Sequence, residues 1–269
     1  MSVSPLTDLP RVLAPIVQAT LAQLASDRAA VPLAELEQHI AQAQPVRSLA
    51  QALALPGLQL IAEFKPRSPS KGWLRRDAQP ADFVAAYRPA AALSVLCDRD
   101  HFGGGVHLLQ AFRPLTDQPL LAKGFFVDDY QLAQVRAAGA DAALLIARLL
   151  PGPHLAAMLE FCQQRGLEAL VEVHNRAELA RAQAVGARII GVNARDLDTL
   201  QIDLAACREL LAAVAPGHLR VAESGVEHPD EVAVLRALAA KDGVDAVLIG
   251  SAFMGAADPA AAVAALGFR

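Results

Sequence analysis

The chain is predicted to fold as an α/β protein, a (β/α)8 barrel with an N-terminal helical extension, on three observations. Eight short aliphatic runs, each ending in polar residues, recur at intervals of roughly 20 to 35 residues. Helical patterns separate them, and no GxGxxG follows the first run, as a doubly wound open sheet would want. The length of 269 residues, 54% hydrophobic but only 4% aromatic, suits one barrel whose layers are filled by Ala, Val, Leu and Ile.

Residues 1–57 read as the extension and 58–269 as the barrel, in a single domain overall. Within residues 10–25, Val12, Leu13, Ile16, Val17, Leu21 and Leu24 recur at helical spacing, and residues 32–43 start a second helix with Pro32 in its first turn. Two helices are therefore expected to plug one end of the barrel or cover a side. The first strand ends in Ile61-Ala62-Glu63-Phe64-Lys65-Pro66-Arg67-Ser68. Glu63 and Lys65, two apart, project on one side of it, and a core could not hold them unpaired without a large desolvation cost, so they belong at the strand's mouth. Taken alone, the segment equally suits an edge strand with a solvated basic turn. The later runs repeat the pattern, at residues 93–98, 120–123, 143–146, 169–174, 189–196, 219–225 and 246–251. Helical patterns at 129–138 and 176–185 are closed by Gly139-Ala140 and Gly186-Ala187, the expected stop before a strand.

Composition narrows the function classes. A net charge of −4, with the one basic cluster confined to residues 65–76, argues against a nucleic-acid partner and suits a small anionic ligand. Three scattered cysteines without CxxC, and seven histidines without HExxH, suggest neither a disulfide framework nor a metal site. No basic stretch followed by an apolar core opens the chain, and no uncharged apolar run approaches about 18 residues. A cytoplasmic protein with no membrane partner, a monomer or weak oligomer, is expected.

A barrel brings the C-terminal ends of all its strands to one face. Glu63 and Lys65 (strand one), Lys123 (three), Glu172 (five), Asn193 and Arg195 (six), Glu223 and Ser224 (seven), and Gly250 and Ser251 (eight) are thus expected to ring one pocket. Lysines, an arginine and carboxylates in one mouth point to proton transfer on a carboxylate or phosphate compound. The turns Ser224-Gly225-Val226 and Gly250-Ser251-Ala252 offer small residues and backbone N–H groups, with helices beginning near Pro229 and Ser251, an arrangement that binds phosphate.

These segments resemble the indole-3-glycerol phosphate synthase family of tryptophan biosynthesis. The resemblance is carried by Ile61-Ala62-Glu63 with Lys65 and Ser68-Pro69-Ser70-Lys71-Gly72, Leu93-Ser94-Val95-Leu96 with Phe102, Pro119-Leu120-Leu121 with Lys123 and Phe125, and Leu170-Val171-Glu172-Val173-His174. Gly191-Val192-Asn193 with Arg195, Ala222-Glu223-Ser224-Gly225 and Val247-Leu248-Ile249-Gly250 complete it, in the family's order. It implies a carboxy-lyase that closes the indole ring of 1-(2-carboxyphenylamino)-1-deoxyribulose 5-phosphate, with no cofactor and no metal. It further implies Lys123 as general acid, Lys65 on the substrate carboxylate, and Glu172 as a second proton-transfer residue. Glu63 and Asn193 would orient substrate with Arg195, while Phe102 and Glu223 would line the pocket. Ser68, Ser224, Gly225, Gly250 and Ser251 would lie at or beside the phosphate, and the extension would lie over the mouth. The family's lysine is usually followed by Asp, whereas Gly124 stands here, so a carboxylate able to hold Lys123 is expected to be missing. Cys97, Gly105 and Ser251 also depart from the common pattern. Two alternatives share these residues: a paralogous barrel lyase acting on a modified anthranilate adduct, and a non-catalytic phosphate-sugar binding subunit.

Overall fold

The computed structural model describes residues 9, 12–69, 71–241 and 243–269. Pro10, at the start of the first helical pattern, and Ser70 of the basic turn lie outside the described residues. Eight parallel strands close into a barrel: β1 (Gln59–Phe64), β2 (Ala92–Leu96), β3 (Leu120–Lys123), β4 (Ala142–Ile146), β5 (Glu168–Val173), β6 (Ile189–Asn193), β7 (Leu219–Glu223) and β8 (Ala246–Ile249). Each strand pairs with its sequence neighbours, and β8 closes on β1 through Gln59 opposite Ala246. Period-two alternation divides every strand between two cores. Leu60, Ala62 and Phe64 face the helices, whereas Ile61, Leu121, Leu144, Leu170, Val221 and Leu248 fill the interior.

Two βα units end where their glycines predict. Helices at Asp129–Ala137 and Arg176–Ala184 stop before Gly139 and Gly186, whose φ values of +97° and +76° lie where L side chains are disfavoured. The helix at Pro229–Ala239 begins where expected, but the one at Ser251 is a single turn, Ser251–Met254, before a second at Pro259–Ala265. A short antiparallel ribbon, Arg67–Ser68 against Gly72–Trp73, carries the loop after β1 over the barrel mouth.

Among the described residues three helices precede β1, where two are expected: α1 (Leu13–Ala30), α2 (Leu33–Gln42) and α3 (Leu49–Leu53). The five residues of α3 are too few for a helical period to stand out in sequence. α1 continues past residue 25 through polar positions and ends at Val31, which is extended because Pro32 follows it. The extension grips both ends of the barrel. Val12, Leu13 and Ile16 roof the C-terminal mouth, while Leu49, Ala50 and Leu53 join the lower interior with Ala92, Ala142 and Ala246. Between these ends, Tyr130 Oη donates to the carbonyls of Asp27 (2.8 Å) and Val31 (2.7 Å), and Arg28 pairs with Asp128 at 2.6 Å.

The lower plug hangs on one carboxylate at the start of β5. Glu168 Oε1 accepts from Ser48 Oγ at 2.7 Å and Oε2 from the Ala50 N–H at 2.8 Å. Glu168→Ala strands both donors and is expected to lower unfolding stability in urea by roughly 1–3 kcal/mol, with no change in KM because the mouth lies at the other end of the strands.

Candidate active site

The charged residues of the mouth form one buried network. Lys65 Nζ lies 2.6 Å from Glu63 Oε1, and Lys123 Nζ lies 3.6 Å from Glu63 Oε2 and 2.6 Å from Glu223 Oε2. β3 and β7 stand opposite each other in the ring, so the Lys123–Glu223 pair spans the barrel interior. On β5, His174 Nε2 approaches Glu172 Oε1 at 3.4 Å.

Burial disfavours the charges of Glu63, Lys123 and Glu223, and the neighbours decide the outcome. For Glu63, Lys65 and Lys123 outweigh burial and hold the carboxyl below its ordinary range. Lys123 is held protonated well above its ordinary range because Glu223, Glu63 and Glu172 overcome its desolvation. Glu223 goes the other way. Burial, only partly offset by Lys123 and reinforced by the Glu172 carboxylate, pushes it up to about 7. Of the three carboxylates, Glu223 is the one raised far enough to take up a proton near neutrality. Cys97 is no nucleophile here, since burial pushes its thiol up to about 12.

One cavity at the strand ends is lined by Glu63, Lys65, Ser68, Phe102, Lys123, Glu172, Asn193, Arg195, Ser224, Gly225, Gly250 and Ser251. Every residue singled out in the sequence reaches it except Glu223, which is fully buried beneath the cavity rather than on its wall. The reason is depth: Lys123 lies between Glu223 and the open space, and takes its carboxylate. Asn193 Oδ1 accepts from the Arg195 N–H at 3.0 Å, and Arg195 Nη1 donates to the Leu200 carbonyl at 3.0 Å, which fixes the loop after β6. Ser224 and Gly225 both have left-handed backbone, at φ +65° and +78°. The loops after β1 and β7 are tied across the rim by Lys71 and Glu227 at 2.7 Å.

Gly250 has a second task. A Cβ there would collide with Glu63 Oε1 and lie 2.9 Å from Glu63 Cβ, so the glycine makes room for the most tightly held carboxylate of the site. Gly191 does the same for Glu223 Oε1. Sequence reasoning missed this use of Gly191, and no local signal marks it. It also missed the apolar half of the cavity, formed by Phe125, Leu144, Ile146, Leu197, Leu13 and Ile16 against Phe102. The Phe102 and Phe125 rings lie 5.8 Å apart. His174 was discoverable, since it follows Glu172 by two residues on the same side of the strand. Among the described residues, no cluster of three His, Cys, Asp or Glu side chains is arranged to hold a metal ion.

A polar, glycine-lined end and an aromatic end joined by buried lysines are thus present in one barrel mouth. The family model for indole-3-glycerol phosphate synthase matches residues 13–266. The chain belongs to the indole-3-glycerol phosphate synthase family. Family relatives include indole-3-glycerol phosphate synthase of Mycobacterium sp. (strain KMS), 41% identical over 95% of this chain and 93% of that protein. Indole-3-glycerol phosphate synthase 2 of Streptomyces coelicolor is 43% identical over 95% of this chain and 98% of its own. Among solved structures, thiamine phosphate pyrophosphorylase from Pyrococcus furiosus superimposes with a TM-score of 0.58 at 21% identity, over 81% of this chain and 96% of that one, a likeness of fold.

Two outcomes follow from the geometry. The kcat/KM profile should fall as pH drops through about 7, where Glu223 takes up its proton and loses its grip on Lys123; in Glu223→Gln that limb should vanish, leaving only the titration of the substrate phosphate near pH ~6. Gly250→Ala should lower kcat on the order of 10²-fold by displacing Glu63, with a smaller change in KM. A variant that raises KM alone would instead place Gly250 purely at the phosphate.

Proposed function

We propose that this chain catalyses ring closure, decarboxylation and dehydration of 1-(2-carboxyphenylamino)-1-deoxyribulose 5-phosphate to indole-3-glycerol phosphate, carbon dioxide and water. The observation that carries the reading is Lys123, a cation kept charged by carboxylates from two other strands yet facing the cavity between its polar and apolar halves.

Ring closure requires the ribulose carbonyl carbon to become electrophilic, and Lys123 donates the proton that makes it so as the aromatic ring attacks. Its pairing with Glu223 and Glu63 holds the ammonium in place before the substrate arrives, so the proton is delivered with little reorganisation. Lys65 holds the anthranilate carboxylate and acts again when hydroxide leaves as water. Loss of carbon dioxide restores the aromatic ring and needs neither redox chemistry nor a cofactor. Glu172 serves the second proton transfer, and Glu63, Asn193 and Arg195 orient the substrate. Glu223 acts from beneath, on Lys123. The aromatic end, with Phe102 and Phe125, takes the anthranilate ring. Ser68, Ser224, Gly225, Gly250 and Ser251 surround the phosphate.

The extension before Leu58 belongs to the same working unit, because Leu13 and Ile16 complete the apolar wall. The protein works as a monomer or weak oligomer in the cytoplasm, with no nucleic-acid or membrane partner. A net charge of −4 weighs against a nucleic-acid partner.

The direct test is appearance of indole fluorescence when the purified protein meets the carboxyphenylamino-deoxyribulose phosphate. Lys123→Met, which keeps the volume of the side chain, should lower kcat by about 10²- to 10⁴-fold. Glu223 already titrates near neutrality, so it takes up a proton when its partner is removed, and the circular dichroism melt should remain cooperative. Retention of more than about a tenth of wild-type kcat would show that another group is the acid.

A further inference from the structure

Behind Glu172 lies a buried cluster that the reaction as described does not use. His174 follows it on the same side of the strand end, and its side chain is 7% exposed. The first turn of the next helix holds the imidazole from behind. Glu178 Oε2 accepts from the His174 backbone N–H at 2.8 Å and lies 3.2 Å from His174 Nδ1. Glu178 is itself fixed, since Asn175 donates to its Oε1 at 2.8 Å and accepts from its N–H at 2.9 Å. Every rotation of the ring is thereby tied down on one side. The opposite nitrogen, Nε2, is buried and makes no aligned hydrogen bond, yet it stands 3.4 Å from Glu172 Oε1.

A core histidine that served packing alone would not leave a buried nitrogen unbonded beside a carboxylate at the cavity wall. His174 does not itself line the cavity, so any effect on the reaction passes through Glu172. We propose that His174 is a positioning residue for Glu172: clamped by Glu178, it presents a positively charged Nε2–H that draws Glu172 Oε1 back and fixes the other oxygen toward the substrate. The inference rests on the reading of Glu172 as a proton-transfer residue.

Carboxylates face the imidazole from three elements: Glu172 on β5, Glu178 on the helix that follows, and Glu223 on β7. The nearby cations are committed elsewhere, Lys123 to Glu223 and Glu63, and Arg181 to the carbonyls of Ala147 and Leu150. Burial opposes the imidazolium, but these carboxylates outweigh it, and the pKa of His174 is raised above the ordinary imidazole value. The charge is present below that raised value and is lost as pH climbs through it. Its loss releases Glu172 and produces an alkaline limb in kcat.

The test has one arm that needs no substrate. Histidine ring resonances are followed by NMR against pH, with His174→Gln identifying the His174 signal among the seven histidines. The midpoint should fall by about one unit or more in Glu172→Gln and again in Glu178→Gln, since each removes an opposite charge. A midpoint unmoved by Glu172→Gln in the folded protein overturns the pairing. In the kinetic arm, His174→Gln should lower kcat on the order of 10²-fold with KM within about twofold, and the alkaline limb that tracks the NMR midpoint should disappear. Glu178→Gln leaves the imidazole in place, and should shift limb and midpoint together to lower pH. If kcat and its profile are unchanged in both variants, His174 does not position Glu172. A wild-type protein inactive on the adduct would count against the proposed function, while the NMR arm still decides whether the pair exists.

Discussion

The whole arrangement depends on Glu63 being buried between two lysines. An isolated carboxylate in an aliphatic barrel costs several kcal/mol after all relaxation, and the lysines would each cost as much alone. Together they are tolerable only in a fixed geometry, with Lys65 at 2.6 Å and Lys123 at 3.6 Å from its two oxygens. That requirement reaches outward. It demands a residue without a side chain at Gly250, and it draws Lys123 toward Glu223 on the far side of the barrel. β1, β3 and β7 are thus locked to one another by electrostatics at the open end, with β8 admitted close by Gly250, while α3 locks the other end by packing and two hydrogen bonds.

The same network sets what the site can do chemically. Burial forbids any unbalanced charge in this network from being spread into water. Glu223, raised to about 7, can therefore take up a proton deep in the barrel, beside Lys123. A proton donor and a proton acceptor can then coexist within one cluster, each at the protonation state its task needs. The anionic substrate brings further negative charge to this mouth, which favours the protonated form of the lysines at the moment of binding. Lys65, whose one ion-pair partner among the described residues is Glu63, is the lysine free to turn toward an incoming carboxylate.

How much of this was legible in the sequence follows from which signals are local. Strand ends carrying polar or charged residues two apart, such as Glu63 with Lys65 and Asn193 with Arg195, declare themselves once the pattern repeats along the chain, because alternation and desolvation then favour the barrel mouth. The glycines that end helices, Gly139 and Gly186, do so too. Contacts between distant strands do not. Nothing near Gly191 says that it clears space for Glu223, and nothing near Leu13 or Ile16 distinguishes a helix face that roofs a cavity from one that packs on a barrel wall. The depth of Glu223 is a consequence of barrel register: it stands opposite Leu248, which stands opposite Ile61, two residues before Glu63, and register is invisible in a single run of residues. The third helix escaped because five residues hold too little of a period.

Gly124 shows the same limit from the other side. Read along the chain, the glycine after Lys123 removes a carboxylate and leaves the lysine without an anchor. Read in three dimensions, the anchor is supplied from across the barrel, by Glu223 at 2.6 Å and Glu63 at 3.6 Å. A Cβ at position 124 would also lie 3.1 Å from Phe126 Cζ, inside ordinary contact, and Phe126 is buried in the outer core. A larger residue there would have to displace an aromatic ring to offer Lys123 something it already has. The local departure from the family pattern is therefore compatible with the chemistry, because the charge state of a buried lysine is set by the carboxylates that reach it in space and not by the residue that follows it in the chain.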